Sequence, residues 1–328
     1  MIEVSRLCKK YGKNMILDHL DFQAEDHKIY GFLGPNGAGK TTTMNLMTGY
    51  LQPTEGTVLI DGIDIRKKPQ AAKKKIGYLP ENPPLYPEMT VTEYLKYAAG
   101  LKKIPWKQRE DEVRKAIGAM ALKEYENTLI RSLSKGYRQR VGMAQAILGN
   151  PDILILDEPT AGLDPKQMTE FRSLLRKLGK NHTVFLSSHI LSEIQAVCDE
   201  VLMLTAGRIV AQGTPEELEE KSGQIQKISI LIKGSEERAD AAFLELDHIE
   251  QIKLIEDPGK GLLRYEIVAK SGYDIREAVS MALAEQQISI LEMTQQKESL
   301  EDTFLRLTDM EESDRETEQK ESEENEIC

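Results

Sequence analysis

The chain has 328 residues, 30% of them charged, and a formal net charge of −11. This length is enough for two domains with full hydrophobic cores. No stretch approaches the eighteen or so apolar residues of a membrane span, and the N-terminal MIEVSRLCKK lacks the apolar core of a signal peptide. Composition therefore argues against a membrane-spanning or exported chain, and we expect a soluble cytoplasmic protein.

Neither the cysteines nor the acidic C-terminal segment indicates a catalytic or metal-binding site. Cys8, Cys198 and Cys328 are far apart and match no metal-ligand spacing, which indicates a reducing compartment. Residues 311–328 contain nine acidic and two basic residues and almost no apolar ones. We expect this segment to be a solvated, disordered tail.

The first strong signal is the segment 29–49, IYGFLGPNGAGKTTTMNLMTG, which predicts a strand, a glycine-rich turn and a helix. The turn matches the phosphate-binding pattern G-x-x-x-x-G-K-[ST], whose small residues let backbone N–H groups wrap closely around phosphates. We expect Lys40 to act on the β- and γ-phosphates of a nucleotide, as a catalytic residue, and Thr41 to bind Mg²⁺. The predicted nucleotide contacts of this turn are Gly34, Pro35, Asn36, Gly37, Ala38, Gly39, Lys40, Thr41 and Thr42.

Two features follow along the chain. The basic run 66–75, RKKPQAAKKK, has no interleaved aromatic residues in a chain that is acidic overall. This favours a solvated face, at a membrane surface or not, over a nucleic-acid site, and we expect no nucleic-acid partner. Thr90 and Glu93 then predict a capping box at the start of a helix.

Residues 131–147, RSLSKGYRQRVGMAQAI, predict a second helix start. Ser132 or Ser134 can cap it, and Gly136 permits close approach of a ligand. A helix start presents free N–H groups and a positive dipole end, both suited to phosphate. The first loop can by itself bind all the phosphates of one nucleotide. This second site is therefore predicted to bind the nucleotide of another copy of the chain, in a symmetric pair.

The segment 153–165, ILILDEPTAGLDP, begins with four apolar residues that predict a buried parallel strand. Asp157 and Glu158 follow it, at the sheet edge where ligands bind. We expect Asp157 to be the Mg²⁺ partner and Glu158 to be the general base that polarises the attacking water. The pair favours hydrolysis over nucleotide binding alone.

After Gly213-Thr214-Pro215, which predicts a glutamate-rich helix, the pattern changes. Residues 226–309 predict the order β-α-β-β-α-β, typical of a small ferredoxin-like α+β domain, followed by a last helix over SLEDTFLRLT. No catalytic constellation is visible there, so packing, dimer support and regulation all remain open.

Taken together, the motifs resemble the ATP-binding subunit of an ATP-binding cassette (ABC) transporter. Gly34–Thr42, Leu133–Tyr137, Asp157–Glu158, Ala161–Asp164 and His189 occur in that family's order, within residues 1–220. The resemblance implies an α/β P-loop NTPase fold with a mixed-sheet core, an antiparallel β subdomain and a helical subdomain at about residues 88–150. Glu81 and the variants at residues 135–140, in the segment after Ser134 that is the family's signature, look like those of exporter-type cassettes, including gliding-motility and multidrug-type ones.

The resemblance also implies roles for individual residues. Ser134 and Gly136 would contact the γ-phosphate of ATP bound to the partner copy, and Asp164 would lie in the loop that spans the dimer seam. His189 would be a catalytic switch that senses the γ-phosphate. Tyr11 would stack against adenine, a contact typically worth about 1–3 kcal/mol.

Three residues depart from the family pattern. Glu81 replaces a glutamine at the hinge between the core and the helical subdomain, where it could approach the nucleotide, Mg²⁺ or its water, but can only accept hydrogen bonds. Lys135 replaces the first glycine of the signature and Tyr137 its glutamine. Lys135 could add charge near the γ-phosphate or point to solvent, and solvent is the favoured interpretation.

The function that the resemblance implies is that of an ATP-hydrolysing subunit. Two copies would close around two ATP molecules with Mg²⁺ and drive a separate membrane permease, in export. The chain would be peripheral on the inner face of the cell membrane, held there by that permease. The alternative is a regulatory ATPase of the same type that acts on a membrane partner or another macromolecule without transport.

Overall fold

The computed structural model describes residues 1–222, 226–244, 246–259, 261–270 and 272–297. The chain divides into two compact units, the first ending at Pro215 and the second beginning at Glu216. The division falls within helix Pro215–Ser222, slightly before the boundary expected near residue 220. The predicted last helix and the acidic tail lie outside the described residues. Within the described residues, no helix is both long and apolar enough to cross a membrane.

The first unit alternates strands and helices. Its strands are β1 (Ile2–Tyr11), β2 (Asn14–Ala24), β3 (Ile29–Leu33), β4 (Glu55–Ile60), β5 (Ile63–Asp64), β6 (Ile76–Leu79), β7 (Ile153–Leu156), β8 (Thr183–Ser188), β9 (Glu200–Thr205) and β10 (Arg208–Gly213). Its helices are α1 (Lys40–Met47), α2 (Pro69–Lys73), α3 (Val91–Leu101), α4 (Trp106–Ala119), α5 (Lys135–Ile147), α6 (Pro165–Gly179) and α7 (Leu191–Val197), with short 3₁₀ turns at Lys123–Tyr125 and Ile130–Ser132. Helix α8 (Pro215–Ser222) crosses the division between the units.

A mixed six-stranded sheet forms the core of the first unit, in the order β10-β9-β3-β8-β7-β6. All neighbours are parallel except β10 and β9. Every residue of β3, β7 and β8 is buried, as expected of parallel strands that are covered on both faces. Because Leu33 pairs with Ser188 in register, the loops that follow β3, β7 and β8 meet at one edge of the sheet.

An antiparallel sheet of order β2-β1-β4-β5 packs its apolar residues into the same core. Phe22 of β2 meets Phe32 of β3 edge to face, with ring centroids 5.6 Å apart. This contact is of a kind typically worth about 0.5–1.5 kcal/mol beyond the area that it buries. The predicted antiparallel subdomain and mixed-sheet core are both confirmed.

Helices α3, α4 and α5 pack on one another and form the helical subdomain. The predicted capping box is present at the start of α3, where Thr90 accepts from the backbone N–H of Glu93 and the Glu93 side chain accepts from that of Thr90. Helix α5 begins at the predicted position. Of the two candidate caps, Ser134 is the one used, and its side chain accepts from the N–H of Tyr137 at 3.4 Å.

The second unit confirms the predicted order of elements. They are β11 (Gln226–Lys233), α9 (Glu236–Leu244), β12 (Ile249–Gly259), β13 (Leu262–Ala269), α10 (Arg276–Glu285) and β14 (Ser289–Lys297). The sheet is antiparallel with the order β12-β13-β11-β14. Ile228, Ile230 and Ile232 alternate along β11 and are fully buried, so the period of two places one face of the sheet in this unit's core.

Candidate active site

The loop between β3 and α1 has the backbone that phosphate binding requires. Gly39 has a φ of +103°, and a Cβ added there would lie 2.4 Å from Leu17 Cδ2, so a side chain is excluded on both grounds. At Gly34 an added Cβ would lie 2.4 Å from the carbonyl oxygen of Leu204. Gly39 is also the N-cap of α1 and makes no side-chain cap, so the first N–H groups of the helix are left available to an anion.

Lys40 lies inside this loop. Its ammonium group donates to the carbonyl oxygens of Gly34 and Pro35 at 2.7 and 3.1 Å, and lies 3.9 Å from Glu158 Oε1. Burial lowers the pKa of Lys40, and the nearby Glu158 and Asp157 carboxylates oppose that shift. The predicted phosphate-binding cation is therefore directed into the turn from which the phosphate-binding N–H groups come.

Oxygen atoms converge beside Lys40. Thr41 Oγ1 donates to Asp157 Oδ1 at 3.2 Å, and Ser187 Oγ donates to the same carboxylate oxygen at 2.7 Å. The hydroxyl and the carboxylate are hard oxygen ligands of the type that Mg²⁺ prefers, so the donor set fits the predicted cation. Asp157 is only 1% exposed, whereas Thr41 is exposed, so the hydrogen bond between them joins a buried carboxylate to an accessible hydroxyl.

Glu158 is held in an unusual backbone conformation next to Asp157. Its φ is +45°, in the left-handed region that a glutamate rarely adopts. The Glu158 N–H donates to Ser187 Oγ at 2.8 Å, and its two carboxylate oxygens lie 3.2 and 3.1 Å from Nδ1 of His189. Strained positions of this kind cluster at functional sites, where the surrounding structure fixes them.

Burial also sets the basicity of Glu158. It raises the pKa of this carboxyl group, while the hydrogen bond and charge of His189 and the charge of Lys40 oppose the shift. A carboxylate with a raised pKa is a better proton acceptor than an exposed one. This environment suits the predicted general base.

Part of the phosphate loop, Glu158 and His189 border a common cavity of about 430 Å³. Its lining residues are Ile16, Asn36, Gly37, Gly39, Lys40, Thr41, Thr42, Glu81, Glu158, Ala161 and His189. The structure thus brings the phosphate loop together with the predicted base, the predicted switch histidine and Glu81, which is exposed at the cavity.

The second phosphate-binding helix start lies apart from this cavity, since neither Ser134 nor Gly136 is among the residues that line it. Ser134 is exposed, and Gly136 is buried against Gln167, whose Oε1 would be 2.4 Å from an added Cβ. Asp164 caps helix α6 by accepting from the Gln167 N–H at 2.9 Å. Within one chain, therefore, the signature segment adjoins the loop that precedes α6 and not the phosphate loop.

Two further predicted residues are exposed. Tyr11 is 50% exposed at the end of β1, with Lys9 Nζ 5.0 Å from the centre of its ring. It is absent from the cavity lining. Lys135 lies beside Gly162 of its own chain, because a Cβ added at Gly162 would be 2.4 Å from Lys135 Nζ.

Sequence reasoning missed Ser187. This side chain bridges the predicted metal ligand and the predicted general base by donating to Asp157 and accepting from the Glu158 N–H. A signal was present in the sequence, since two serines directly precede His189 at the end of an apolar strand. Only the pairing of β7 with β8 shows which residues those serines reach.

The phosphate loop, the adjacent carboxylates and the mixed sheet define a P-loop nucleoside triphosphatase. A family model described as ABC transporter matches residues 17–161. The chain is 34% identical to the bacitracin transport ATP-binding protein BcrA of Bacillus licheniformis, over 94% of this chain and 97% of that protein. It is also 34% identical to the uncharacterized ABC transporter ATP-binding protein YhcH of Bacillus subtilis, over 94% and 96%.

Solved structures agree with this assignment. A bacterial ABC transporter cassette whose structure is dimeric shares 26% identity and a TM-score of 0.60, covering 65% of this chain and 98% of that one. The chain belongs to the ABC transporter ATP-binding proteins. It is an ATP-binding and ATP-hydrolysing subunit of such a transporter.

Proposed function

We propose that two copies of this chain close around two ATP molecules and that hydrolysis drives a separate membrane permease in export. One observation carries the proposal: the chain has two helix starts suited to phosphate, and only that of α1 borders the cavity that contains Lys40. A second copy, turned by a two-fold axis, brings the start of its own α5 to that cavity.

In each site of the closed pair, the phosphate loop comes from one subunit and Ser134 and Gly136 from the other. Asp164 lies at the seam, and the exposed ring of Tyr11 stacks on adenine. ATP makes contacts with both subunits that ADP lacks, so binding favours the closed pair and hydrolysis favours opening. The dimeric structure of a related cassette supports this arrangement.

Thr41 and Asp157 would hold Mg²⁺, with Glu81 near the ion or its water. When bound, the ion neutralises charge that develops on the β- and γ-phosphate oxygens. Lys40 contributes a second positive charge to the same phosphates, from its place inside the loop.

Glu158 orients the attacking water and accepts its proton. The water oxygen forms a new bond to the γ-phosphorus, and the bond from that phosphorus to the bridging oxygen of ADP breaks. His189, 3.1 Å from Glu158, lies where it can hold both the carboxylate and the γ-phosphate. General-base assistance of this kind contributes about 10²–10⁴ in rate.

The permease would hold the chain at the inner face of the cell membrane. The bacitracin transport protein to which this chain is similar supports a transport role. The direction that we propose, export, rests on the resemblance of Glu81 and residues 135–140 to exporter-type cassettes. Co-purification from the native cell tests this step. A multi-span membrane partner is expected, whereas a ribosome, DNA or a non-transporting membrane enzyme would contradict it.

The closed pair is tested with Glu158→Gln, which retains the shape of the side chain but cannot accept the proton. With ATP and Mg²⁺ this variant is expected to accumulate as a dimer, measured by light scattering after size exclusion. Adding Ser134→Arg should prevent that dimer, because a long cation then occupies the contact with the partner's phosphate.

Ser132→Arg is the matched control, since Ser132 is also exposed and lies two residues earlier. It should leave the dimer intact. A Glu158→Gln chain that stays monomeric with ATP, both alone and with its membrane partner, would refute the proposed pairing.

A further inference from the structure

A buried carboxyl group lies just outside the proposed active site. Glu193, in the first turn of α7, is 5% exposed and does not line the cavity that contains Lys40. Within the described part of the chain it forms no ion pair with a lysine, arginine or histidine. Burying a carboxyl group is costly unless it is hydrogen-bonded, so its partners matter.

Both partners come from segments that carry proposed catalytic residues. Thr160 Oγ1 donates to Glu193 Oε2 at 2.5 Å, and Ser188 Oγ donates to the same oxygen at 3.0 Å. Thr160 follows Glu158 by two residues, and Ser188 directly precedes His189. One carboxyl oxygen therefore ties together the loop after β7 and the loop after β8.

This link is well insulated from solvent. Thr160 is 7% exposed and Ser188 is fully buried, so water competes little for these hydrogen bonds. Ser188 Oγ also accepts from the Ile190 N–H at 3.0 Å, which fixes the turn that carries His189. Replacing Glu193 by a side chain without an acceptor would remove the acceptor of two buried hydroxyl donors.

Glu158 and His189 need such a restraint. The Glu158 backbone is left-handed. Its carboxylate lies 3.1 Å from Nδ1 of His189, a residue that follows a different strand. Ser187 Oγ accepts a hydrogen bond from the Glu158 N–H. That hydrogen bond does not fix the backbone of the residues that follow Glu158. The Glu193 link adds a side-chain restraint two residues after Glu158, at Thr160.

We propose that Glu193 is a positioning residue for ATP hydrolysis, which holds Glu158 and His189 in their mutual geometry through Thr160 and Ser188. The inference rests on the roles proposed above for Glu158 and His189. Lys40 and the phosphate loop do not depend on this link, so it acts on the rate of hydrolysis and not on ATP binding.

The test compares Glu193→Ala with Glu193→Gln in steady-state ATP hydrolysis. Removing the acceptor is expected to lower kcat about 10- to 100-fold and to change the KM for ATP by less than about twofold, because small misplacements of catalytic groups cost rates of that order. Glutamine retains a carbonyl oxygen that can accept from both hydroxyls, so Glu193→Gln should retain kcat within about threefold of the unmodified chain.

The double variant Thr160→Val/Ser188→Ala tests the same link from its other end and should reproduce the fall in kcat. Thr205→Val is the matched control, because the Thr205 hydroxyl is buried in the same unit and has no hydrogen-bond partner among the described residues. It should change kcat by less than about twofold. Thermal unfolding shows which variants are folded. If Glu193→Ala does not fold, the kcat of the double variant is the test of the proposal.

Three results would overturn the proposal. These are an unchanged kcat in the folded variants that lack the link, a change confined to KM, or a loss in Glu193→Gln as large as in Glu193→Ala. Failure of the proposed function is separate, because it would appear as Glu158→Gln hydrolysing ATP at the rate of the unmodified chain.

Discussion

Helix α1 and helix α5 begin in opposite ways. The start of α1 has a left-handed glycine as its cap, no side chain in the cap position and a lysine directed into the preceding loop. The start of α5 is capped by the side chain of its own Ser134, and Gly136 is covered by Gln167. The first start borders the cavity that contains Lys40, whereas Ser134 and Gly136 of the second start do not line that cavity.

The difference teaches that a phosphate-binding signal in a sequence is not by itself a complete site. What completes the α1 start is the set of groups at the ends of neighbouring strands: Asp157, Glu158, Ser187 and His189. The Ser134 side chain instead accepts from the N–H of Tyr137 in its own helix. We infer that the missing part of the α5 site is the nucleotide held by another copy.

The largest expected effect is that ATP binding to the isolated chain depends on the start of α1 and not on the start of α5. Lys40→Ala should weaken ATP binding to the isolated chain by about tenfold or more, because a charge-assisted contact to phosphate is lost. Ser134→Arg should leave that binding within about twofold but lower hydrolysis at least about 100-fold. Titration with a fluorescent ATP analogue and a steady-state assay measure the two effects.

Ser132→Arg serves again as the control for the added charge and should alter neither quantity strongly. If Ser134→Arg weakens nucleotide binding as much as Lys40→Ala does, the two starts belong to one site and the comparison fails.

A smaller effect concerns the strand-end groups that only the first start possesses. Burial raises the pKa of Glu158, against the influence of His189 and Lys40, so its ionised form is disfavoured in the folded chain. A raised folded-state pKa costs stability once pH exceeds the ordinary glutamate range, near 4.3, and costs nothing well below it. Glu158→Gln should therefore be more stable than the unmodified chain at neutral pH.

Thermal unfolding in a chelator without nucleotide measures this difference. The melting temperature of Glu158→Gln should exceed that of the unmodified chain at neutral pH, and the difference should vanish as pH falls below the ordinary glutamate range. Equal stability of the two chains at neutral pH would show that Glu158 is not penalised by burial.

The smallest effect concerns Lys135, at the second start. Since this side chain lies beside Gly162 of its own chain, Lys135→Gly should change kcat by less than about threefold. A loss of about tenfold or more in the same hydrolysis assay would instead mean that the ammonium group acts on the partner's phosphate. In that case the start of α5 would contribute a lysine to phosphate binding, as the start of α1 does with Lys40.

Much of this site could be predicted from sequence because the signals are local. The glycines of the phosphate loop, the capping box at Thr90 and the cap at Ser134 each depend on residues a few positions apart. The order of elements in the second unit was also predictable, because its strands alternate with a period of two.

The remaining features depend on strand pairing across long stretches of chain. Ser187 reaches Asp157, and Ser188 joins Thr160 through Glu193, because β7 and β8 are neighbours in register. No spacing or periodicity in one sequence reveals that register. The left-handed backbone of Glu158 and the contact of Lys135 with Gly162 were hidden for the same reason.

A complementation measurement tests the shared site most directly. Lys40→Ala disables the phosphate loop of one chain and Ser134→Arg the α5 start of another, and each variant alone is expected to be inactive. In a mixed pair, one site receives both intact parts, so mixing equal amounts should restore up to about half of the full ATPase activity, since each mixed pair has one working site of two. A mixture no more active than its two components would contradict the account, because it would mean that each chain builds its catalytic site alone.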